Sequence, residues 1–245
     1  MSDRSSRVLV IVPAWNEQDN VGKTVKEILD IDLPLDVLVV DDGSTDLTTA
    51  EASAAGAKVL TLPFNLGVGG AMRTGFTYAH RQGYGAAIQV DADGQHDAAD
   101  IARVLDALAS VDVAIGARFA EVGDYQVRGP RRWAMRFLAA TVSRVARTRL
   151  TDVTSGFRAA NARAIEQYVR YYPAEYLGDT VDSLVAALHS GLRVQQVPVS
   201  MRPRASGKPS QNPFTASVYL LRSVFALSLA LLRPARLMEA KKGPA

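Results

Sequence analysis

The chain has 245 residues, 48% of them hydrophobic and 22% charged, which suits a globular unit with a sizeable core and excludes a disordered tail, a collagen-like chain or a disulfide scaffold. It has no cysteine, which removes zinc ribbons and thiol chemistry, and its three histidines (His80, His96, His189) are too few and too scattered for a histidine metal cage. The net charge of +3 hides a division: residues 1–117 carry 8 Lys and Arg against 17 Asp and Glu, net −9, whereas residues 118–245 carry 20 against 8, net +12.

Residues 7–12 are a short apolar run rich in β-branched side chains and predict a buried strand. Residues 17–30 follow with helical spacing at Val21, Val25, Ile28 and Leu29. Residues 36–40 predict a second strand, 46–55 a helix with Asp46 as candidate N-cap, 58–62 a third strand, and 67–82 a helix opened by glycines. Residues 86–90 predict a fourth strand, 97–109 a helix and 111–116 a fifth strand. This alternation predicts βαβ units, and so an α/β fold with a mainly parallel central sheet flanked by helices. Such sheets bind ligands at the carboxyl ends of their strands. The polar clusters fall there: residues 13–17, 41–46, 65–70 and 91–96 follow the first four strands, and Arg118 follows the fifth. They are expected to converge on one crevice.

Residues 130–149 predict a helix carrying Arg131, Arg132, Arg136, Arg144, Arg147 and Arg149, with Trp133, Phe137, Leu138 and Val142 on its other face. Residues 152–158 read as a turn-rich connection, 162–171 and 180–190 as helices, 192–199 as a strand and 202–213 as a basic loop. Residues 214–232 form an apolar stretch of 19 residues, close to the ~20 of a membrane span. Arg222 lies near its middle, and such a charge costs roughly 2.5–3.5 kcal/mol at a bilayer centre. A helix on the membrane surface or packed on a partner is therefore expected, with Arg233, Arg236, Lys241 and Lys242 able to meet anionic lipid; a core-facing helix is the alternative. The chain divides accordingly into a catalytic domain, 1–212, and a C-terminal helix and basic tail, 213–245. The polar start, Met1 to Arg7, lacks the apolar core of a signal peptide, so a cytoplasmic protein is expected, peripheral at the inner face of the cell membrane. An acidic half can hold a divalent cation, and a basic half can face phosphates or an anionic membrane. No aromatics interleave with the arginines, so no nucleic acid partner is expected.

Asp91-Ala92-Asp93-Gly94-Gln95-His96 carries the sharpest chemistry. Two carboxylates two residues apart, just past a buried strand, can bind a hard cation such as Mg²⁺ or Mn²⁺. That ion would neutralise a diphosphate leaving group; a surface turn would use the same residue types. Asp41 and Asp42 can accept hydrogen bonds from a base or ribose, while Ser44 and Asp46 suit helix capping. The glycines between Asn65 and Gly70 allow backbone amides to approach a phosphate or sugar, but they match neither the dinucleotide fingerprint nor a P-loop.

In this order, Pro13-Ala-Trp-Asn-Glu17, Asp41-Asp-Gly-Ser-Thr-Asp46, Asn65-Leu-Gly-Val-Gly-Gly70 and Asp91-Ala-Asp-Gly-Gln-His96 resemble the signature of family 2 glycosyltransferases. Ser155-Gly-Phe-Arg158 and the basic loop around 204–210 resemble its polyprenyl-phosphate branch, typified by dolichol-phosphate mannose synthase. The resemblance covers about residues 7–210 and implies a glycosyltransferase A-type fold. It implies a nucleoside-diphosphate sugar held by Pro13, Ala14, Trp15, Glu17, Asp41, Asp42, Asn65, Gly70, Asp91, Ala92 and Lys208. Trp15 stands where tyrosine is frequent, and Lys208 lies in a Gly-Lys-Pro-Ser run where Gly-X-Ser-Lys is common. The metal ligands implied are Asp91, Asp93 and Gln95. Arg118 would meet the acceptor phosphate, with one of Arg131, Arg132 and Arg136 as its partner; Arg132 and Arg136, four apart on one helix face, are favoured.

A hydroxyl acceptor needs a general base, whereas a lipid phosphate is already anionic near pH 7. The arginines of 118–136 favour inverting transfer to a polyprenyl phosphate at a membrane surface, with Asp93 and Arg118 as catalytic residues. Asp179, opening the 180–190 helix, is the candidate base for a hydroxyl acceptor, or an ordinary N-cap; Glu175 is the second candidate. The rivals are thus a family 2 enzyme acting on a glycan or small alcohol with Asp179 as base, and a non-catalytic nucleotide-sugar-binding protein. Sugar, nucleotide base and any homo-oligomer are left open by the sequence.

Overall fold

The structure, a computed structural model, describes residues 6–117, 139–144, 146, 148–172 and 179–202. The elements are β1 (Val8–Ala14), α1 (Val21–Leu29), β2 (Leu35–Asp41), α2 (Thr48–Ala54), β3 (Lys58–Thr61), α3 (Val68–Gln82), β4 (Ala86–Gln89), α4 (Asp100–Asp106) and β5 (Val113–Ala117). A helical segment over 139–144 (α5) precedes β6 (Arg158–Asn161), α6 (Ala162–Arg170), α7 (Asp179–His189) and β7 (Val194–Pro198). Seven strands form one sheet in the order β3-β2-β1-β4-β6-β5-β7. Every pairing is parallel except those of β6, which runs antiparallel to β4 and β5.

Alternation along the strands builds two cores. Leu9 and Ile11 of β1 and Leu38 and Val40 of β2 face one side with Met72 and Phe76 of α3, Tyr168 of α6 and Leu184 of α7. Val10 and Val12 and Val37 and Val39 face the other with Val25 and Ile28 of α1, Ala52 of α2 and Ile101 of α4. The sheet is therefore sandwiched between helices, as the strand–helix alternation predicts. α3 rides close on β1 because position 75 is glycine: a Cβ there would stand 2.4 Å from Ile11 Cγ2. Phe76 in turn packs on Tyr168 and Tyr172 at 4.8 and 5.4 Å between ring centres.

The predicted strands and helices up to β5 all form, with shorter helices. α1 starts at Val21 and α4 at Asp100, because residues before them make turns in which the Asn20 amide bonds the Glu17 carbonyl and the Asp100 amide that of Asp97. Asp46 lies one residue before the N-cap Leu47, yet its carboxylate accepts the Thr48 amide at 2.9 Å, which serves the capping purpose. Among the described residues, β6 is the one strand missed. Arg-Ala-Ala-Asn lacks β-branched and aromatic residues, and its place between β4 and β5 overrides weak propensity. Asn161 ends this strand and caps α6, its side chain accepting the Ala164 amide at 3.0 Å. Most of the predicted 130–149 helix and all of 203–245, including the apolar stretch, lie outside the described residues. Among the described residues, no helix is long and apolar enough to cross a membrane.

Candidate active site

The chain reverses its direction of travel across the sheet between β1 and β4: β2 and β3 lie to one side of β1 and β4 to the other. Crevices at such switch points, at the carboxyl ends of the strands, are where open α/β sheets bind ligands. The loops after β1, β2, β3 and β4 all leave at this edge.

The loop after β1 is fastened to the loop after β2. Asn16 has φ 53°, a left-handed conformation that asparagine tolerates. Its side-chain oxygen accepts the Thr45 amide at 3.0 Å, and its own amide donates to Ser44 Oγ at 2.9 Å. The Glu17 amide donates to Thr48 Oγ1 at 2.8 Å, and Glu17 Oε2 accepts from the Asn20 side chain. Ala14 is buried and its carbonyl accepts the Asp42 amide at 2.8 Å. Pro13 is half-buried, and Trp15 is 48% exposed.

Asp41 and Asp42 are almost wholly buried, at 2% and 3% exposure. Asp41 accepts the Ser44 amide at 2.9 Å and the Thr49 hydroxyl. Asp42 accepts the amides of Leu66 and Gly67, both at 2.7 Å, and so ties the loop after β3 to the end of β2. Burial pushes the Asp42 carboxyl up; the two amides offset part of that rise, and the Asp41 charge adds to it. Gly43 permits this approach: its φ is 72°, and a Cβ there would lie 2.8 Å from the Phe64 carbonyl carbon. Asn65 is half-buried, its oxygen accepting the Gly67 amide at 3.1 Å, and Gly70 is buried under Leu66. These aspartates organise loops, which spacing alone does not reveal.

The loop after β4 differs. Ala92 turns inward, with its carbonyl held by Thr24 Oγ1 of α1 at 3.2 Å, while Asp91, Asp93 and Gln95 are partly exposed. Asp91 Oδ1 accepts from Gln89 Nε2 at 2.9 Å, and Asp93 Oδ1 accepts the Gln95 amide at 3.1 Å. The oxygens available at this edge are hard donors, which fit Mg²⁺ or Mn²⁺ bound by one or two carboxylates and completed by substrate phosphate. Among the described residues no three His, Asp or Glu side chains gather as a metal group. His96 is buried against the loop, its Nδ1 accepting the Asp91 amide at 3.1 Å. Arg202 ties the chain after β7 to the same loop: its amide donates to the Gln95 carbonyl at 2.8 Å, and its guanidinium meets Asp97 at 2.8 Å and Glu27 at 2.9 Å.

Ser155–Arg158 sits beneath. Ser155 Oγ donates to the Gly116 carbonyl at 2.6 Å. Arg158, buried at 7% exposure, donates to the carbonyls of Ser155, Val153 and Thr180 at 2.7, 2.7 and 2.6 Å, and so joins this turn to the first turn of α7. Asp179 is the first residue of α7, where the predicted helix opens. The loops after β1, β2 and β3 are thus bonded to one another, and β4 delivers its loop beside β1. Arg118, Arg132, Arg136, Glu175 and Lys208 lie outside the described residues. Sequence reasoning missed the contacts of Gln89, His96, Gly156 and Phe157 with Asp91 and its loop; the only signal was the place of the last three inside the two quoted motifs, and Gln89 had none.

A model of the family described as glycosyl transferase family 2 matches residues 9–169. The chain is 31% identical over 212 residues to polyprenol monophosphomannose synthase of Mycolicibacterium smegmatis, covering 83% of this chain and 80% of that protein. It is 31% identical over 211 residues to undecaprenyl-phosphate mannosyltransferase of Micrococcus luteus, covering 82% and 86%. Among solved structures, glucosyl-3-phosphoglycerate synthase of Mycobacterium tuberculosis, crystallised with Mn²⁺ and UDP, superposes with a TM-score of 0.72 at 19% identity, covering 94% of this chain and 81% of that one.

Proposed function

Because the chain belongs to glycosyl transferase family 2 and is a glycosyltransferase of α/β fold, we propose that it moves a sugar from a nucleoside diphosphate to a polyprenyl phosphate, with inversion. The observation that carries the reading is a contrast among the four aspartates at the ends of β2 and β4. Asp41 and Asp42 are buried and bonded to loop backbone, whereas Asp91 and Asp93 are partly exposed at the switch point. Only the second pair presents carboxylate surface to a ligand.

Asp91, Asp93 and Gln95 would hold Mg²⁺ or Mn²⁺, which supplies charge neutralisation to the departing diphosphate. Asp41 and Asp42 act through the loops they fasten: they set Pro13, Ala14, Trp15 and Glu17 on one side of the donor and Asn65 to Gly70 on the other. The amino end of α3 opens from those glycines, and a helix N-terminus favours an anion. The names of the two mannosyltransferase relatives support a polyprenyl phosphate as acceptor. A phosphate monoester is anionic near pH 7 and needs cations rather than a base, a part given to Arg118, Arg132 and Arg136. Lys208 would meet the donor phosphates. Peripheral association through residues 213–245, with their five Lys and Arg, follows from the lipid acceptor.

The test supplies radiolabelled nucleoside-diphosphate sugars in turn, with polyprenyl phosphate in detergent or with soluble glycans and alcohols. The expected product is a lipid-extractable glycosyl phosphate, formed with Mg²⁺ or Mn²⁺ and lost with chelator. Transfer only to hydroxyl acceptors would assign Asp179 the base and remove the phosphate reading.

A further inference from the structure

We propose that His96 and Gly156 are positioning residues that preset the Asp91 carboxylate for the cation, an inference that rests on reading Asp91 as a metal ligand. The Asp91 amide donates to His96 Nδ1 at 3.1 Å, closing the 91–96 turn across Gly94, whose φ is 71°. With Nδ1 accepting, a neutral imidazole carries its proton on Nε2, and Nε2 lies 3.8 Å from Asp91 Oδ2. Both ring nitrogens therefore face the same aspartate.

The ring is itself fixed. It is buried and stacked on Phe157 at 4.8 Å with 16° between planes. Phe157 is fully buried and occupies space that Gly116 leaves: a Cβ on Gly116 would stand 2.6 Å from Phe157 Cδ1. On the other side, Gly156 passes against the Asp91 carboxylate. A Cβ on Gly156 would lie 3.2 Å from each carboxylate oxygen and 2.8 Å from Gln89 Nε2, the donor to Oδ1. The carboxylate is thus bounded by an amide donor, a glycine backbone and an imidazole edge, and the side chain remains 39% exposed. A turn that served only to reverse the chain would need the His96 bond to the Asp91 amide, but not the glycine against the carboxylate.

Outer groups that orient a metal ligand change metal affinity by about 10–100-fold when removed. The experiment titrates Mn²⁺ into the full chain in the presence of uridine, guanosine or thymidine diphosphate, alongside melting curves. His96→Phe keeps the ring stack and loses the acceptor. His96→Asn restores an acceptor oxygen near the Nδ1 position. Gly156→Ala leaves His96 alone and crowds the carboxylate. His96→Phe and Gly156→Ala are expected to weaken Mn²⁺ binding about 10–100-fold, while His96→Asn stays close to wild type. Wild-type affinity in both His96→Phe and Gly156→Ala, or an equal loss in His96→Asn and His96→Phe, overturns the inference and leaves Asp91 a ligand. A wild-type chain that binds no Mn²⁺ with any of the three diphosphates removes the metal reading, and this inference with it.

Discussion

Replacing Asp112 by alanine removes the pin that holds the far half of the sheet under the site. Asp112 stands just before β5 and is 3% exposed. Its carboxylate accepts the Arg193 amide at 2.8 Å ahead of β7, the Asn161 side chain at 3.1 Å at the end of β6, and Arg163 at 3.3 Å. Arg163 is largely exposed, so that ion pair adds little. The other two are part-buried bonds to a charged acceptor, each contributing about 1.5–3 kcal/mol. Losing both costs about 3–6 kcal/mol, which lowers the melting temperature of a chain this size by roughly 10 °C. Burial alone would raise the Asp112 carboxyl, but the Arg193 amide, the Asn161 side chain and the charges of Arg163 and Arg193 outweigh it and hold it below the usual carboxylate range. The stability it contributes is therefore present above the unfolded value of about 3.9 and is lost as pH falls through the lower folded value. Calorimetry of wild type and Asp112→Ala at pH 7 and again near pH 3 reads both effects. Equal melting temperatures at pH 7, or a gap undiminished in acid, would refute the assignment.

Gly75→Ala should destabilise despite a better helix former: propensity favours alanine by about 1 kcal/mol, but the methyl 2.4 Å from fully buried Ile11 forces repacking at about 1–3 kcal/mol. Denaturant unfolding checks this, and a higher midpoint would contradict the α3–β1 contact. Asp179→Asn should leave turnover on polyprenyl phosphate near that of the wild type, since an anionic acceptor needs no base; a drop of about 10²–10⁴ in steady-state rate would make Asp179 a base instead.

The sheet was legible because β1, β2, β4 and β5 are apolar runs and the chain alternates strand and helix. β6 was not, because Arg158–Asn161 has neither apolar pattern nor β-branching and is held by its neighbours on both sides. The Asp91–Gln95 loop was legible from its carboxylate spacing. The bracing by Asp42 was not: that it accepts the amides of Leu66 and Gly67 and ties two loops together cannot be read from the Asp-Asp spacing. Ser155–Arg158 was recognisable as a motif, yet its use is non-local. Gly156 meets a carboxylate 65 positions earlier, and Arg158 reaches a carbonyl in α7.

Calorimetric titration of nucleoside diphosphate, with and without Mn²⁺, into wild type and Asp93→Ala tests the central claim most directly. The account predicts Mn²⁺-dependent binding in the wild type and its loss in Asp93→Ala at an unchanged melting temperature. Equally tight, equally Mn²⁺-dependent binding in the variant would contradict it.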